Sequence, residues 1–381
     1  MDFSYSDDQR MLRETVDRLL AERYDFRARA TYAREANGWS RSIWERFAEL
    51  GLLALPFPEQ HGGLGAGSVE VMLVMEAFGR ALVLEPYLAT VVLAGGILRR
   101  AANPGQAARF MPRIAAGELT FAVALYEPRS GSDPLQITST ARSDAAGWVL
   151  NGEKSLVLNA PGADWLVIPA VISEAKSRQG IGLFLVEANN PGIRLNAYAT
   201  QDDRRAADIT LDAVHVASAE RLDAADDERA VLDSVVDEAI AALCAEAVGA
   251  MEQLHGMTLE YLKSRRQFGT SIGSFQALQH RAVDMLVALE QARSMALYAT
   301  LSLSESDPSA RRKAVAAAKV LVGQSARHIG QEAVQLHGAI GMTMEYAGGH
   351  LFKRLTAIDA MLGDRHFHLR ALTEKGGVEL T

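Results

Sequence analysis

A chain with one cysteine cannot build a disulfide framework, and this one has only Cys244 in its 381 residues. That cysteine sits inside an apolar helical run, which fits a reducing compartment. There is no basic run: 39 Lys and Arg stand against 47 Asp and Glu, for a net charge of −8, which argues against a nucleic-acid partner. Long hydrophobic runs are missing too. The longest, around LATVVLAGGIL, is too short and too glycine-broken to span a bilayer. The first residues, MDFSYSDDQRMLRETV, carry acids and a capping serine where a secretory leader would have basic and then apolar residues. These absences predict a cytoplasmic protein with no membrane span. What is present is ordinary globular composition, 49% hydrophobic and 23% charged, at a length that suggests two or three domains.

From Ser6 to about Gly117 the pattern predicts helices. Met11, Val16, Leu19 and Leu20 recur at helical spacing, and Ser40 precedes a helix carrying Trp44, Phe47 and Leu50 that stops at Gly51. A loop, ALPFPEQHGGLGAGS, separates these from two apolar helices, VEVMLVMEAFGRAL and EPYLATVVLAGGILRRA. Near Thr120 the composition changes. Short β-rich runs from Phe121 to Val216 predict a compact β domain, with Asn151-Gly152 as a hairpin turn signal. From about Asp226 long helices return, and they predict a four-helix bundle after a middle β-barrel-like domain. In QLHGAIGMTMEYAGGHLFKRLTAIDAMLGDRH a helix ends in glycine, restarts at His350 or Leu351, and stops at Gly363. Gly338 and Gly341 let the backbone approach something flat or phosphorylated, although ordinary helix stops account for the same glycines. The fold class is mostly α with a central β domain, divided at 1–120, 121–225 and 226–381.

Three motifs carry a resemblance. In ALYEPRSGSD, Glu127, Pro128, Gly131, Ser132 and Asp133 form a strand end followed by a small-residue bend that exposes backbone N–H groups. In WVLNGEKSLVLNAPGADWLVI the pattern is Asn151, Gly152, Lys154, Asn159, Ala163 and Asp164. In SRRQFGTSIGSFQALQHRAVDM it is an Arg-x-x-Phe-Gly followed by Phe-Gln and Ala-x-Asp-Met. With the order helices, β domain, bundle, the chain resembles the acyl-CoA dehydrogenase family over nearly its whole length. The resemblance implies FAD as cofactor, an acyl-CoA substrate, and an electron-transfer flavoprotein as acceptor. It also implies that Arg265, Gln267 and Phe268 reach across a subunit interface to a neighbour's FAD. There an arginine fork suits the pyrophosphate, with Phe275 and Leu278 lining the same place. Gln335, Leu336 and Gly338 would cover the partner's adenosine, with Ala339 standing where the family has glycine.

The departures fall where the chemistry should be. The family's reaction removes an α-proton with a desolvated carboxylate and passes the β-hydrogen to the flavin as hydride. Counted from Glu345-Tyr346, the usual glutamate position holds Leu362, which can offer a backbone N–H to a thioester oxygen but cannot take a proton. The alternative position on the first bundle helix, counted from Phe268, holds Ala239. Weak substitutes are Asp364, just past Gly363, and Glu246, two turns along the face of Ala239. Positions that meet the flavin ring in the family are here Tyr126, Leu156 and Leu158, with Ser132 nearby. The pattern resembles the small, base-lacking subunit of hetero-oligomeric acyl-CoA dehydrogenases, whose partner bears the glutamate. Two other readings stay open: a self-sufficient homo-oligomer with a relocated base, and a non-catalytic, flavin-supporting subunit.

Overall fold

The computed structural model describes residues 5–172, 180–223 and 227–374; the predicted boundary at Ala225 and Asp226 lies outside them. In chain order the helices are α1 (Asp7–Arg23), α2 (Phe26–Tyr32), α3 (Arg41–Glu49), α4 (Ser68–Ala81), α5 (Gly95–Ala101) and α6 (Pro104–Ala115). The strands β1 (Phe121–Val123), β2 (Thr140–Asp144), β3 (Gly147–Leu158), β4 (Trp165–Ile172), β5 (Ile181–Glu187), β6 (Ile193–Ala199), β7 (Arg205–Ala217) and β8 (Arg221–Leu222) follow. Then come α7 (Glu228–Ser264), the short strands β9 (Arg266–Gln267) and β10 (Thr270–Ser271), α8 (Gln276–Ser302), α9 (Pro308–His337), α10 (Ala347–Ala360) and α11 (Arg365–Glu374). The chain packs as two compact units.

One unit comprises Met1–Ala30, Ser68–Val83 and Ile240–Thr381. It holds α1, α4, most of α7 and the helices after it. Sequence signals set their ends. Ser6 caps α1 in a reciprocal capping box with Gln9. Asp307 accepts from Ser309 N at 2.9 Å with Pro308 opening α9, and α9 stops at Gly338, whose φ is +64°. Leu243, Met251, Met285, Val322, Ile329, Leu351 and Leu355 fill the interior. Where α4 crosses α7 the backbones touch. A Cβ on Gly79 would collide with the Glu246 carbonyl, and one on Gly249 with the Glu76 carbonyl. Beside this crossing Glu76 pairs with Arg80 at 3.0 Å and Arg293 at 2.8 Å, and Arg80 also reaches Asp17 at 2.8 Å.

The other unit comprises Thr31–Gly67 and Leu84–Ala239. Its eight-stranded sheet runs β6-β7-β3-β2-β4-β5-β8, with β1 beside β4. Trp148, Leu150, Leu166, Ile168, Phe184 and Val214 form the core. Asn159, at a left-handed φ of +63°, takes the indole N–H of Trp39 at 3.2 Å and donates to Phe121 O at 3.3 Å.

Three expectations need correction. Asn151-Gly152 is not a hairpin turn. β3 runs straight through it with a register shift, because Asn151 Oδ1 accepts from Ala213 N at 2.9 Å and a Cβ at 152 would strike Ser139; the turn lies between Asp144 and Gly147. EPYLATVVLAGGILRRA is not one regular helix. Leu88–Ala94 is π-helical and buried before α5 begins, with Thr90 Oγ1 donating to Phe121 O at 3.1 Å and accepting from Phe121 N at 3.0 Å. The helix expected from His350 or Leu351 starts at Ala347, and a further helix, α11, follows the Gly363 stop, so five helices rather than four stand after Asp227 among the described residues. Glycine is tolerated in the first turn of α10 because a Cβ at Gly348 would sit 2.8 Å from the Tyr346 ring.

Candidate functional site

Past the end of α7, Arg265 and Gln267 are exposed. β9 and β10 pair as a two-residue ladder closed by Phe268 and Gly269, whose φ values are +53° and +80°. Two successive positive φ values match the primed hairpin turns, where a bulky residue is disfavoured. Phe268 nonetheless occupies the tip and is 91% exposed. A strained, solvated aromatic is poor for folding and points to a contact outside the chain. Its ring stands 6.2 Å from that of Phe275, also exposed, with Leu278 half-buried on the next turn. On α9, Gln335 is exposed while Leu336 is buried in the core. Gly338 has φ +64° and ψ −143°, a region only glycine uses readily, and nothing approaches within 4 Å of where its Cβ would be.

In the sheet unit, Glu127 organises the loop that carries Tyr126 and Ser132. Its carboxylate accepts from Lys154 Nζ at 2.8 Å, Thr138 N at 2.8 Å, Ser139 N at 3.0 Å and the Thr138 hydroxyl. Lys154 also donates to Pro169 O at 2.8 Å. Burial alone would push the Glu127 carboxyl up, but the Lys154 charge and these donors pull it down to about 2. Burial lowers Lys154, opposed by Glu127. A depressed carboxylate contributes stability above its unfolded pKa and loses it as pH falls through the folded value. Glu127→Gln should therefore lose the part of the acid-unfolding limb between the ordinary carboxylate range and about 2. It should also lower stability by about 3–5 kcal/mol at neutral pH, since Lys154 stays buried without its partner; denaturant titrations from pH 2 to 7 check both.

A bulge between Lys154 and Val157 turns Leu156 out at φ +50°, leaving it 40% exposed. Asp208 holds the bulge. Its Oδ1 accepts from Leu156 N at 3.0 Å and from the Tyr198 hydroxyl at 2.9 Å, and burial followed by Asp208 pushes that phenol up to about 12. Leu158 is half-buried on the same strand. Tyr126 is half-buried too, its carbonyl accepting from Ser155 N at 2.9 Å.

The base positions are apolar and enclosed. Ala239 is 0% exposed. Just before it, Gly96 of α5 lies against Val235 and Glu238 pairs with Arg99 at 3.0 Å and with Arg100. Leu362 is 4% exposed at a left-handed φ of +53°. Its carbonyl accepts from His368 Nε2 at 2.9 Å, so that nitrogen carries the hydrogen, and burial pushes His368 down to about 4 and keeps the ring neutral.

The two substitute acids are engaged. Arg354 Nε and Nη2 donate to Glu246 Oε1 and Oε2, each at 2.7 Å, with both side chains buried. Asp364 Oδ1 accepts from Phe367 N at 2.8 Å, as a cap on α11. The sequence reading missed the Glu246–Arg354 pairing, Asp208, His368 and Lys319. Lys319 is buried, bonded to Ile358 O and pushed down to about 8 by burial, against Cys244 and Asp359. A lone charge within an apolar helical run, as in ALCAEAVGAM or AVAAAKVLVG, was the available signal.

Three family descriptions match consecutive stretches: the acyl-CoA dehydrogenase N-terminal domain at residues 6–118, the middle domain at 122–214 and the C-terminal domain at 231–376. Over 310 residues the chain is 30% identical to acyl-CoA dehydrogenase FadE12 of Mycobacterium tuberculosis, covering 80% of this chain and 79% of that one. A chain in the ChsE4-ChsE5 complex of Mycobacterium tuberculosis superposes with a TM-score of 0.89 at 26% identity, covering 98% of each. PigA with FAD and proline superposes with a TM-score of 0.89 at 26% identity, covering 98% of this chain and 99% of that one. The chain belongs to the acyl-CoA dehydrogenase family, a family of flavoprotein oxidoreductases whose cofactor is FAD. The donor set present here fits an adenosine diphosphate: an exposed guanidinium, an exposed amide, an open glycine backbone and a projecting aromatic. Among the described residues no helix is long and apolar enough to cross a membrane.

Proposed function

We propose that this chain is the base-lacking subunit of a hetero-oligomeric, FAD-dependent acyl-CoA dehydrogenase, with the glutamate supplied by a related partner subunit. The observation that carries this is that both base positions, Leu362 and Ala239, are apolar and buried, while Glu246 and Asp364 are held by Arg354 and the α11 N-terminus. The ChsE4-ChsE5 neighbour is itself a complex of two different chains, which supports the same reading. We retain the division at 1–120, 121–225 and 226–381, a cytoplasmic setting, and an electron-transfer flavoprotein as acceptor.

In this reading Arg265 and Gln267 bind the pyrophosphate of a neighbour's FAD, Phe268 and Phe275 pack on its adenosine, and Gln335 and Gly338 close over it. Leu278 and Leu336 support those surfaces. Tyr126, Ser132, Leu156 and Leu158 border the ring, so ring contacts made by Leu156 and Leu158 are apolar ones. Bound FAD supplies the hydride acceptor; this chain supplies position and excludes water, and no side chain at 362 or 239 takes the proton.

Co-expression with a glutamate-bearing relative, followed by light scattering and flavin absorbance, tests the assembly. A mixed oligomer carrying FAD is expected; a monomer that stays monomeric with FAD and the relative present overturns it. Arg265→Ala should weaken FAD retention by about 1.5–3 kcal/mol, the worth of a charged hydrogen bond to phosphate. Arg266→Ala should leave it near wild type, and equal occupancy in the two variants would remove Arg265 from the site.

A further inference from the structure

Resting on that FAD placement, we propose that the hydrogen bond between Tyr346 and His337 positions the Gly338–Met342 turn for the adenosine end of FAD. The two residues bracket the turn: His337 is the last residue of α9 and Tyr346 immediately precedes α10. His337 Nδ1 lies 2.8 Å from Ala333 O. A carbonyl only accepts, so Nδ1 carries the hydrogen. Burial holds the imidazole below its ordinary pKa, opposed by the nearby Ala333 and Met257 backbone, so the ring is neutral and, with the hydrogen on Nδ1, Nε2 offers a lone pair. The Tyr346 hydroxyl donates to it at 2.7 Å. Tyr261 of α7 stacks on the same imidazole, its centroid 4.7 Å away.

The turn itself is set by this pair and by glycine. A Cβ on Gly341 would stand 3.0 Å from His337 Cβ, and one on Gly348 2.8 Å from the Tyr346 ring. Gly338 takes a backbone conformation that other residues avoid. One flank of the half-buried Tyr346 ring faces a groove. There Tyr346 and Tyr261, with Gly256, Met257, Glu260 and Ser264, wall an open groove of about 490 Å³. With that flank open, the hydroxyl–imidazole bond is the side-chain tie from one end of the turn to the other, beside the local backbone bonds Thr343 N to Ile340 O at 3.2 Å and Tyr346 N to Thr343 O at 3.4 Å. The placement of Gln335 and Gly338 follows from where the turn is held.

The test is titration of FAD into the apo form of the assembled oligomer, read by flavin fluorescence, with oligomer mass measured alongside. Tyr346→Phe keeps the ring and removes one donor, and should raise Kd about five- to tenfold with the mass unchanged. His337→Leu should match it. The double variant should be no weaker than either single, because both remove one bond. His337→Gln, whose amide oxygen can accept from Tyr346, should stay within about twofold of wild type, a rescue that packing alone would not give. An unchanged Kd in Tyr346→Phe, or additive losses in the double variant, overturns the proposal when Arg265→Ala weakens FAD. An unchanged Kd in Arg265→Ala removes the FAD placement, and the positioning role with it.

Discussion

Mixed anaerobically with a panel of acyl-CoAs, the isolated chain carrying FAD should bleach its flavin about 10²–10⁴-fold more slowly than the assembly with a glutamate-bearing partner, the range a positioned general base is worth. The expectation follows from geometry as well as residue type. A base must reach the α-carbon, and neither Leu362 nor Ala239 offers a titratable group or a solvated surface. In the assembly, removing the partner's glutamate should be the damaging change, while Asp364→Asn here should cost little beyond the α11 cap. Fast bleaching by the isolated chain, abolished by Asp364→Asn or Glu246→Gln, would replace the subunit reading with a self-sufficient enzyme. No bleaching in either preparation with FAD bound, across fatty, aromatic and sterol thioesters, would favour a purely supporting subunit.

A large loss of stability should come from Arg354→Met. It leaves the Glu246 carboxylate buried, with its bidentate guanidinium gone, and should cost about 3–5 kcal/mol. The paired change Glu246→Met with Arg354→Met should recover most of that loss, because two apolar side chains avoid both desolvation penalties. Urea midpoints at neutral pH for the wild type, both singles and the double decide it. A double variant as unstable as Arg354→Met alone would mean that the pair fills some further structural need. The prediction also separates two roles for Glu246: a charge fixed by Arg354 is a structural partner, whereas a base would tolerate loss of Arg354 better than loss of itself.

Much of this was legible in the chain because its signals are local. Pro308 and Gly338 bound α9, Ser6 and Gln9 write the α1 cap, and the shift to β-rich runs near Thr120 marks the sheet. The Arg265-x-x-Phe268-Gly269 run is legible as a motif, but the hairpin strain at Phe268 shows only in backbone angles. Asn151-Gly152 misled because a turn dipeptide also suits a bulge, and the choice lay with Ala213 and Ser139 across the fold. Glu246 was found by helical phase from Ala239, yet its meaning depended on Arg354, 108 positions away in sequence. The π-helical stretch at Leu88–Ala94, within which Thr90 pairs with Phe121, is likewise something helical periodicity does not encode.

The unit built from Met1–Ala30, Ser68–Val83 and Ile240–Thr381 has a consequence for how the protein is made. The apolar face of α4 closes on α7 through Gly79 and Gly249, but roughly 160 residues must be translated between Val83 and Ile240. At about 5–20 residues per second, Met72 to Gly79 wait roughly 8–30 s on the ribosome before the α7 face they close on emerges. Through that interval the nascent chain presents an unsatisfied apolar surface of the kind that holding chaperones bind. Expression yield should therefore respond to chaperone supply and to slow growth temperature more than the finished fold's ordinary composition would suggest.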